Sequence, residues 1–249
     1  MKKLRKLGLL GKDISYSFSK TYFKKKFEDE NIENISYENF DIKSINLFPS
    51  VIKTTEDLKG LNVTIPYKQE VMPYLDKVKK IAKNIGAVNT IKVTKKGKLI
   101  GYNTDYYGFS KSLEPLLKPY HMSALILGTG GASKAVAYSL KKLDIPYHYV
   151  SRKNSDGVSY TYETLTESIV KQHKLIINCT PLGTFPNIND CPDIPYGGIT
   201  NHHILFDLIY NPEETTFLKY GKEKGATTKN GFRMLELQAE KSWSIWKLD

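Results

Sequence analysis

The chain contains few cysteines and no long apolar run. Its 249 residues include two cysteines, Cys179 and Cys191, and five histidines, and none of them shows metal-ligand or redox spacing. The apolar runs are far shorter than the roughly 18 residues of a membrane span, and residues 7–10 are too short for the core of a signal peptide. We therefore expect a mature protein of the reducing cytoplasm, without disulfides, a metal or a membrane anchor.

Arginine is also scarce, although the chain is basic. Its 37 Lys and Arg against 26 Asp and Glu give a net charge of +11, and the arginines are Arg5, Arg152 and Arg233. This charge suits nucleic acid, an anionic surface or acidic small molecules. The lysines are scattered, and no base-reading or base-stacking motif accompanies them. We expect a small-molecule ligand and neither a nucleic-acid nor a membrane partner, with monomer and homodimer both open.

Apolar strands and amphipathic helical stretches alternate along the chain, which is typical of parallel α/β sheets covered by helices. A length of 249 residues exceeds the common single-domain size. The sequence predicts an α/β fold with two domains. The first is a mostly parallel α/β domain at residues 1–104, and the second is a Rossmann-like, doubly wound domain at residues 105–231. The last helix, residues 232–249, is expected to pack back on the first domain.

Individual elements follow from the hydrophobic pattern. Strands are predicted at residues 7–11, 37–42, 61–65, 124–127, 147–150, 175–178 and 204–208. Helices are predicted from about residues 19, 44 and 66, after residue 105, after the turn at 128–133 and over 161–173. A hairpin joins residues 87–94 to 98–102.

The glycine-rich turn GTGGAS, residues 128–133, lies between a predicted buried strand and an amphipathic helix. Glycines at this place let the backbone approach a pyrophosphate at the N-terminus of a helix. Ser133 departs from the usual fingerprint, which has Gly or Ala there. The alternative is a turn that needs only a positive φ angle. We favour a dinucleotide site.

The end of the next strand indicates which dinucleotide is bound. An NAD site has an acidic residue there, which accepts the ribose 2′-hydroxyl. This strand ends in Ser151, Arg152 and Lys153, and a guanidinium beside an ammonium favours a 2′-phosphate. Asp156 is the competing acid, but it lies in the following loop. The sequence predicts NADP rather than NAD.

Polar clusters in the first domain follow the predicted strands, where open α/β sheets bind ligands. Ser15, Ser17 and Ser19 follow the first strand, with a helix cap at Ser19 as the plain alternative. Lys68 is expected just after the start of a helix opened by Pro66. A cation is unexpected at that place, because the helix dipole favours anions there. Lys68 is therefore a candidate for function.

Two more clusters belong to the same set. Asn62 and Thr64 are predicted to share one face of a strand. Asn89 is placed in the strand that follows Gly86. Asp105 ends the hairpin before a helix, and a plain N-cap is its alternative role.

Together these segments resemble the shikimate dehydrogenase family over nearly the whole chain and in the family's order. The motifs are SYSFS at 15–19, NVTIPYK at 62–68, GAVNT at 86–90, GYNTD at 101–105, GTGGAS at 128–133, NCTPLG at 178–183, YNPEET at 210–215 and NGFRMLELQA at 230–239. The resemblance implies reversible, NADPH-dependent reduction of 3-dehydroshikimate to shikimate. Quinate as a substrate and a catalytically silent binding protein remain alternatives.

The resemblance also implies roles for individual residues. Lys68 matches the catalytic lysine, and Asp105 would orient its ammonium. Substrate contacts would fall on Ser17, Ser19, Thr64, Asn89, Asp105, Tyr210 and Gln238. Cofactor contacts would fall on Gly128, Gly130, Gly131, Ala132, Ser151, Arg152, Lys153, Thr180, Leu182 and Gly231. The chain departs from the family at Lys20, usually proline, at Cys179, usually a small residue, and at Thr184, usually methionine.

Overall fold

A computed structural model describes residues 4–15 and 17–247 of the chain. The chain forms two compact units. The first contains the residues up to Thr104 together with those from Ala239 onward, and the second is Asp105–Gln238. The first unit is therefore discontinuous in sequence.

The first unit is built on a six-stranded sheet. Its elements are β1 (Arg5–Gly11), α1 (Phe18–Asp29), β2 (Ile35–Asp41), α2 (Phe48–Thr54), β3 (Leu58–Val63), β4 (Lys77–Val78), α3 (Lys80–Ile85), β5 (Thr90–Val93) and β6 (Leu99–Tyr102), with 3-10 turns at Ile45–Leu47 and Met72–Tyr74. The strand order is β2-β1-β3-β5-β6-β4. β1 pairs in parallel with β2 and β3, whereas β5 pairs antiparallel with β3 and β6.

The second unit has a fully parallel six-stranded sheet. Its elements are α4 (Asp105–Leu113), β7 (Ala124–Leu127), α5 (Gly131–Lys142), β8 (Tyr147–Ser151), β9 (Val158–Thr161), α6 (Glu167–Gln172), β10 (Leu175–Asn178), β11 (Ile204–Asp207), α7 (Thr216–Glu223), β12 (Thr227–Lys229) and α8 (Phe232–Trp246), with 3-10 turns at Glu114–Leu116 and Tyr196–Gly198. The order β12-β11-β10-β7-β8-β9 is that of doubly wound dinucleotide-binding sheets. The predicted α/β fold with a Rossmann-like second part is confirmed.

Burial explains why the strands of the second unit read as continuous apolar runs. All four residues of β7 and all four of β10 are buried. Core clusters lie on both faces of this sheet, so side chains pointing either way meet other apolar side chains.

The predicted helix from residue 66 does not form. The chain makes turns from residue 65 to residue 71. In an α-helix the carbonyl of Lys68 would accept from the N–H of Met72, but here it accepts from the N–H of Val88 at 2.7 Å. Met72 donates to Gln69 instead, at 3.2 Å. Lys68 is therefore not at a helix N-terminus, and the argument from the helix dipole does not apply to it.

Three further boundaries differ from the prediction. The pattern predicts one helix over 161–173, but α6 begins only at Glu167, and the short strand β9 precedes it at the edge of the sheet. A strand is predicted from residue 87, but β5 begins at Thr90. The last helix is predicted to belong whole to the first domain, but the division between the two units falls within α8, after Gln238.

Candidate active site

Side chains of β2 hold the loop that follows β1. The backbone N–H groups of Asp13 and Ile14 donate to the carboxylate of Asp41 at 3.0 and 3.2 Å. The side-chain amide of Asn39 donates to the carbonyl of Ile14 at 3.1 Å. Since β1 and β2 are parallel, this loop leaves the carboxyl edge of the sheet, where open α/β sheets bind ligands.

The candidate serines of this loop differ in their surroundings. Ser17 is the N-cap of α1, and its Oγ accepts from the backbone N–H of Ser19 at 3.2 Å. The alternative of a cap at Ser19 is therefore wrong. Ser19 is buried inside the first turn of α1. Ser15 is exposed, and so is Lys20, where the family usually has proline.

Thr64 and Lys68 follow the carboxyl end of β3. The N–H of Thr64 donates to the carbonyl of Leu10 in β1 at 2.9 Å. The bond from Val88 holds the backbone of Lys68 beside the segment that leads to Asn89. Both candidate side chains are half-buried. They therefore lie at the same edge of the sheet as the serine loop.

The side-chain amide of Asn89 is buried and held in one orientation. The backbone N–H of Thr104 donates to Oδ1 of Asn89 at 2.6 Å, and Nδ2 of Asn89 donates to Oγ1 of Thr104 at 3.0 Å. A backbone N–H can only donate, so this pairing assigns Oδ1 as the acceptor and Nδ2 as the donor. A ligand oxygen beside Nδ2 would therefore meet an N–H donor.

A buried hydrogen-bond network continues behind Asn89. The hydroxyl of Ser242 in α8 lies 2.8 Å from that of Thr90 and 3.1 Å from that of Thr104. It also accepts from the amide of Asn62 at 3.0 Å. Asn62 in turn accepts from the buried hydroxyl of Tyr37 at 2.8 Å.

The sequence analysis missed the role of Ser242. In the chain, 138 residues separate it from Thr104. No local pattern could have joined the two.

Asp105 and Gln238 are buried in the second unit. Asp105 is the first residue of α4 and not a cap outside it, and 6% of it is exposed. Gln238 lies in α8. A Cβ at Gly108 in α4 would overlap the carbonyl of Met234 and lie 3.1 Å from the Cβ of Gln238. Glycine at this position thus allows α4 and α8 to pack closely.

The glycine turn lies at the switch point of the second sheet, between β7 and β10. Gly128 has φ = +95°, and a Cβ on it would lie 3.1 Å from Cγ2 of Thr180, after β10. The turn therefore needs glycine both for its backbone conformation and for its close approach to the next loop.

The N-terminus of α5 carries little side-chain bulk. Gly130 is its N-cap without a side-chain hydrogen bond, and Gly131 and Ala132 begin the helix. A Cβ on Gly130 would meet no heavy atom within 4 Å. The hydroxyl of Ser133 donates to the carbonyl of Gly130 at 2.6 Å, so the departure from the fingerprint closes the turn. This open helix start fits a phosphate group.

Ser151 is the last residue of β8, and Arg152 and Lys153 follow it in an exposed loop. Among residues 4–15 and 17–247, neither of these two cations forms an ion pair. Asp156 lies further along the same loop. Two unpaired cations at the end of this strand fit a phosphate better than a hydroxyl.

Asn178, at the end of β10, organises the loop that holds Thr180 and Leu182. Its Oδ1 accepts from the backbone N–H and the hydroxyl of Thr180 at 2.9 and 2.7 Å. The backbone N–H of Leu182 donates to that hydroxyl at 3.3 Å. The amide of Asn178 donates to Asp207 at 3.1 Å, which ties this loop to the end of β11.

Asp207 is a second residue that the sequence analysis missed. It is fully buried, and burial raises the pKa of its carboxyl group to about 6. Hydrogen bonds from the hydroxyl of Thr215, the N–H of Ile209 and the amide of Asn178 oppose that rise. The signal was present in the sequence, because an acid ends the apolar run ILFD.

Tyr210 and Gly231 lie in the loops after β11 and β12. The N–H of Gly231 donates to the carbonyl of Ile209 at 2.9 Å, and a Cβ on Gly231 would overlap the carbonyl of Leu208. Tyr210 is half-buried. The two loops therefore approach each other closely at the carboxyl edge.

Cys179 and Thr184, two positions at which the chain differs from the family pattern, differ in exposure. Cys179 is partly buried against the core of the second unit, whereas Thr184 is exposed. Among the described residues, no group of three His, Cys, Asp or Glu side chains could hold a metal ion. No helix within residues 4–15 and 17–247 is long and apolar enough to cross a membrane.

Comparison with known proteins identifies the family. The model for the shikimate dehydrogenase substrate binding domain matches residues 9–91. A shikimate dehydrogenase (NADP(+)) of Clostridium beijerinckii is 42% identical, over 96% of this chain and 91% of that protein.

Two solved structures share the fold. The shikimate 5-dehydrogenase of Thermus thermophilus, in complex with NADP(H) and shikimate, has a TM-score of 0.86 at 27% identity, over 98% of this chain and 93% of that one. A quinate dehydrogenase of Corynebacterium glutamicum, in complex with NAD, has the same TM-score of 0.86 at 25% identity, over 98% and 94% of the two chains. The 42% identity over nearly the full length is decisive, and the chain belongs to the shikimate dehydrogenase family.

Proposed function

We propose that this chain catalyses the reversible NADPH-dependent reduction of 3-dehydroshikimate to shikimate, a step in the biosynthesis of chorismate and the aromatic amino acids. The observation that carries the proposal is the fixed amide of Asn89, held by Thr104 at the carboxyl edge of the first sheet. The same edge also presents Ser17, Thr64 and Lys68. Such an edge offers the donors that an acid with several hydroxyl groups requires.

Each proposed substrate contact has a chemical role. Ser17, Ser19 and Thr64 bind oxygen atoms of the substrate through their hydroxyl groups, and Asn89 donates through Nδ2. Tyr210 and Gln238 are assigned two further polar contacts with the substrate. The assignment rests on the match of these positions to the family motifs and on their full or partial burial near strand ends or in the adjoining loops and helices.

The second unit fits NADP. Gly128, Gly130, Gly131 and Ala132 hold the pyrophosphate at the start of α5, where a Cβ on Gly130 would occupy open space. Ser151, Arg152 and Lys153 hold the 2′-phosphate, and Thr180, Leu182 and Gly231 border the nicotinamide. When bound, NADPH supplies the hydride.

Lys68 and Asp105 are responsible for proton transfer to the ketone oxygen of the substrate. The ketone oxygen gains negative charge during reduction, and the ammonium of Lys68 donates a proton to it. Asp105 orients that ammonium and binds a neighbouring hydroxyl. In the direction of oxidation, the neutral amine of Lys68 accepts the proton.

The direct test is NADPH consumption by the purified chain with 3-dehydroshikimate, beside NADH and beside 3-dehydroquinate. We expect turnover confined to NADPH and 3-dehydroshikimate. Comparable use of dehydroquinate would move the assignment toward the quinate enzymes, whose fold this chain shares. Ligand binding without turnover would instead favour a silent binding protein.

The Lys68→Ala variant tests the proton donor. We expect its kcat to fall by about 100 to 10,000-fold, which is the usual scale for loss of a general acid, with a smaller change in KM. The matched control is Lys83→Ala, which removes an exposed lysine of α3. An unchanged kcat in Lys68→Ala would remove this residue from the mechanism.

We also place the protein in the cytoplasm, where its substrate and cofactor are small soluble metabolites. The proposal is supported by Cys179 and Cys191, which are both free thiols, as expected in a reducing compartment.

A further inference from the structure

A groove lined by cations opens on the first unit, at the edge opposite the proposed substrate residues. Its volume is about 610 Å³. Six of its eight lining residues are basic, namely Arg5, Lys59, Lys92, Lys95, Lys96 and Lys98. The other two are Val93 and Thr94, so no described carboxylate lines the groove.

The position of the groove in the sheet separates it from the candidate active site. Arg5 is the first residue of β1, and Lys59 is the second residue of β3. These strands are parallel, so the two cations lie at their amino-terminal edge. Ser17 and Thr64 follow the carboxyl ends of the same strands.

An irregularity of the sheet adds one of these cations. The register between β1 and β3 passes from Lys6 opposite Leu58 to Leu7 opposite Gly60, which leaves Lys59 as an extra residue. Such a bulge changes the direction of a side chain. Here it accompanies the placement of Lys59 in the same groove as Arg5 and Lys92.

The charge of the groove is only weakly neutralised within the described chain. Arg5, Lys59 and Lys92 are half-buried, and Lys59 lies 3.7 Å from a carboxylate oxygen of Asp57. In residues 4–15 and 17–247, the other five cations of the groove form no ion pair. Like charges gathered in one concavity repel each other, so an anion with several charges would relieve the repulsion.

We propose that this groove is a binding site for a small anion with adjacent phosphate groups. Its volume lies within the range of small-molecule sites, and the lysine ammonium groups suit phosphate oxygens. No aromatic or amide side chain is among its lining residues, so it lacks the groups that stack on or read nucleic-acid bases. The site recognises charge density and not a base sequence.

The test is calorimetric titration of inorganic tripolyphosphate into the full chain saturated with NADP⁺, because the cofactor site also accepts phosphates. The groove variant is Lys92→Gln/Lys95→Gln/Lys96→Gln. The matched control is Lys43→Gln/Lys53→Gln/Lys83→Gln, which removes three exposed lysines of the same unit. Its net charge therefore equals that of the groove variant. We expect one site per chain, with affinity at least about tenfold weaker in the groove variant and nearly unchanged in the control.

Several outcomes would overturn the proposal. Absence of binding would do so, and so would an equal loss in both variants, because it would indicate non-specific attraction. Groove-dependent binding of a single-stranded RNA oligonucleotide, or of vesicles containing anionic lipid, without binding of tripolyphosphate would assign the surface to a macromolecule instead. If the groove variant fails to fold, Lys95→Gln/Lys96→Gln at the exposed hairpin turn tests the same expectation.

Discussion

At the scale of single residues, Gly128 and Gly130 lie in one turn, but a methyl group would act differently at each. At Gly130 the φ angle is −72°, and a Cβ would meet no heavy atom within 4 Å. Alanine therefore fits the folded chain without a ligand. We expect Gly130→Ala to keep the thermal midpoint of the apoprotein and to raise the Kd for NADPH about tenfold or more, because the methyl group would occupy space proposed for the pyrophosphate.

Gly128→Ala is the contrasting variant. Its φ of +95° is strained for alanine, and its Cβ would press on Thr180. We expect the free energy of unfolding of this variant to fall by roughly 1 kcal/mol or more. Its affinity for NADPH should fall as well. Fluorescence titration with NADPH and thermal unfolding separate the two effects. Unchanged NADPH affinity in Gly130→Ala would contradict the proposed phosphate position.

Asp207 predicts a pH dependence of stability. Burial raises its pKa to about 6, against 3.8 for the ordinary group. The folded state then binds the proton more tightly than the unfolded state, so this group's contribution to stability falls as pH rises from about 4 to about 6. The loss corresponds to at most about 3 kcal/mol.

The Asp207→Asn variant removes this titration and keeps an acceptor for Asn178 and Ile209. We expect the free energy of unfolding of the wild type, minus that of Asp207→Asn, to decrease between pH 4 and pH 6. Urea unfolding of both proteins at several pH values measures the difference. A difference that is flat with pH would show that Asp207 titrates normally.

At the scale of elements, the C-terminal half of α8 completes the core of the first unit. Trp246 is fully buried, packs against Phe23 with ring centroids 5.6 Å apart, and donates from its indole N–H to the carbonyl of Ile91 at 2.9 Å. Gly60 leaves room for the indole, because a Cβ there would overlap it. Through this packing and this hydrogen bond, Trp246 attaches α8 to the sheet of the first unit.

We expect Trp246→Ala to reduce the free energy of unfolding by about 3–5 kcal/mol, the usual cost of removing a buried large aromatic side chain. Trp243→Ala is the control, since Trp243 lies in the same helix but is only half-buried. Urea unfolding of the two variants gives the comparison. Equal losses would show that Trp246 has no special place in this core.

At the scale of the whole molecule, the first unit needs residues from both ends of the chain. Ala239, Ser242 and Trp246 belong to it, although the entire second unit precedes them in sequence. The proposed pyrophosphate and 2′-phosphate contacts all lie within Asp105–Gln238.

Removal of residues 239–249 should therefore separate turnover of 3-dehydroshikimate from NADPH binding. We expect the truncated chain to lose turnover of 3-dehydroshikimate, because the first unit loses Trp246 and the Ser242 network, and to retain NADPH binding. Activity assays and NADPH fluorescence titration check the two halves of this expectation. Full turnover by the truncated chain would show that the last residues are dispensable for the first unit.

Local patterns in the sequence determined much of this protein. The apolar runs that form β7 and β10 predict buried strands, and the glycine turn with Arg152 predicts a dinucleotide site and its preference for NADP. The ordered motifs predict the family. All of these are short-range features, in which neighbouring residues carry the whole signal.

Only the tertiary structure decided the features that depend on distant partners. The backbone of Lys68 is held by Val88 instead of by a helix. Ser242 reaches the network behind Asn89 from the far end of the chain. The six cations of the groove come from three strands and a hairpin turn. In each case the packing of segments that are distant in sequence places a hydrogen bond or a charge. For the groove, this packing adds Arg5 and Lys59 to the four lysines at positions 92–98, which are already close together in the chain.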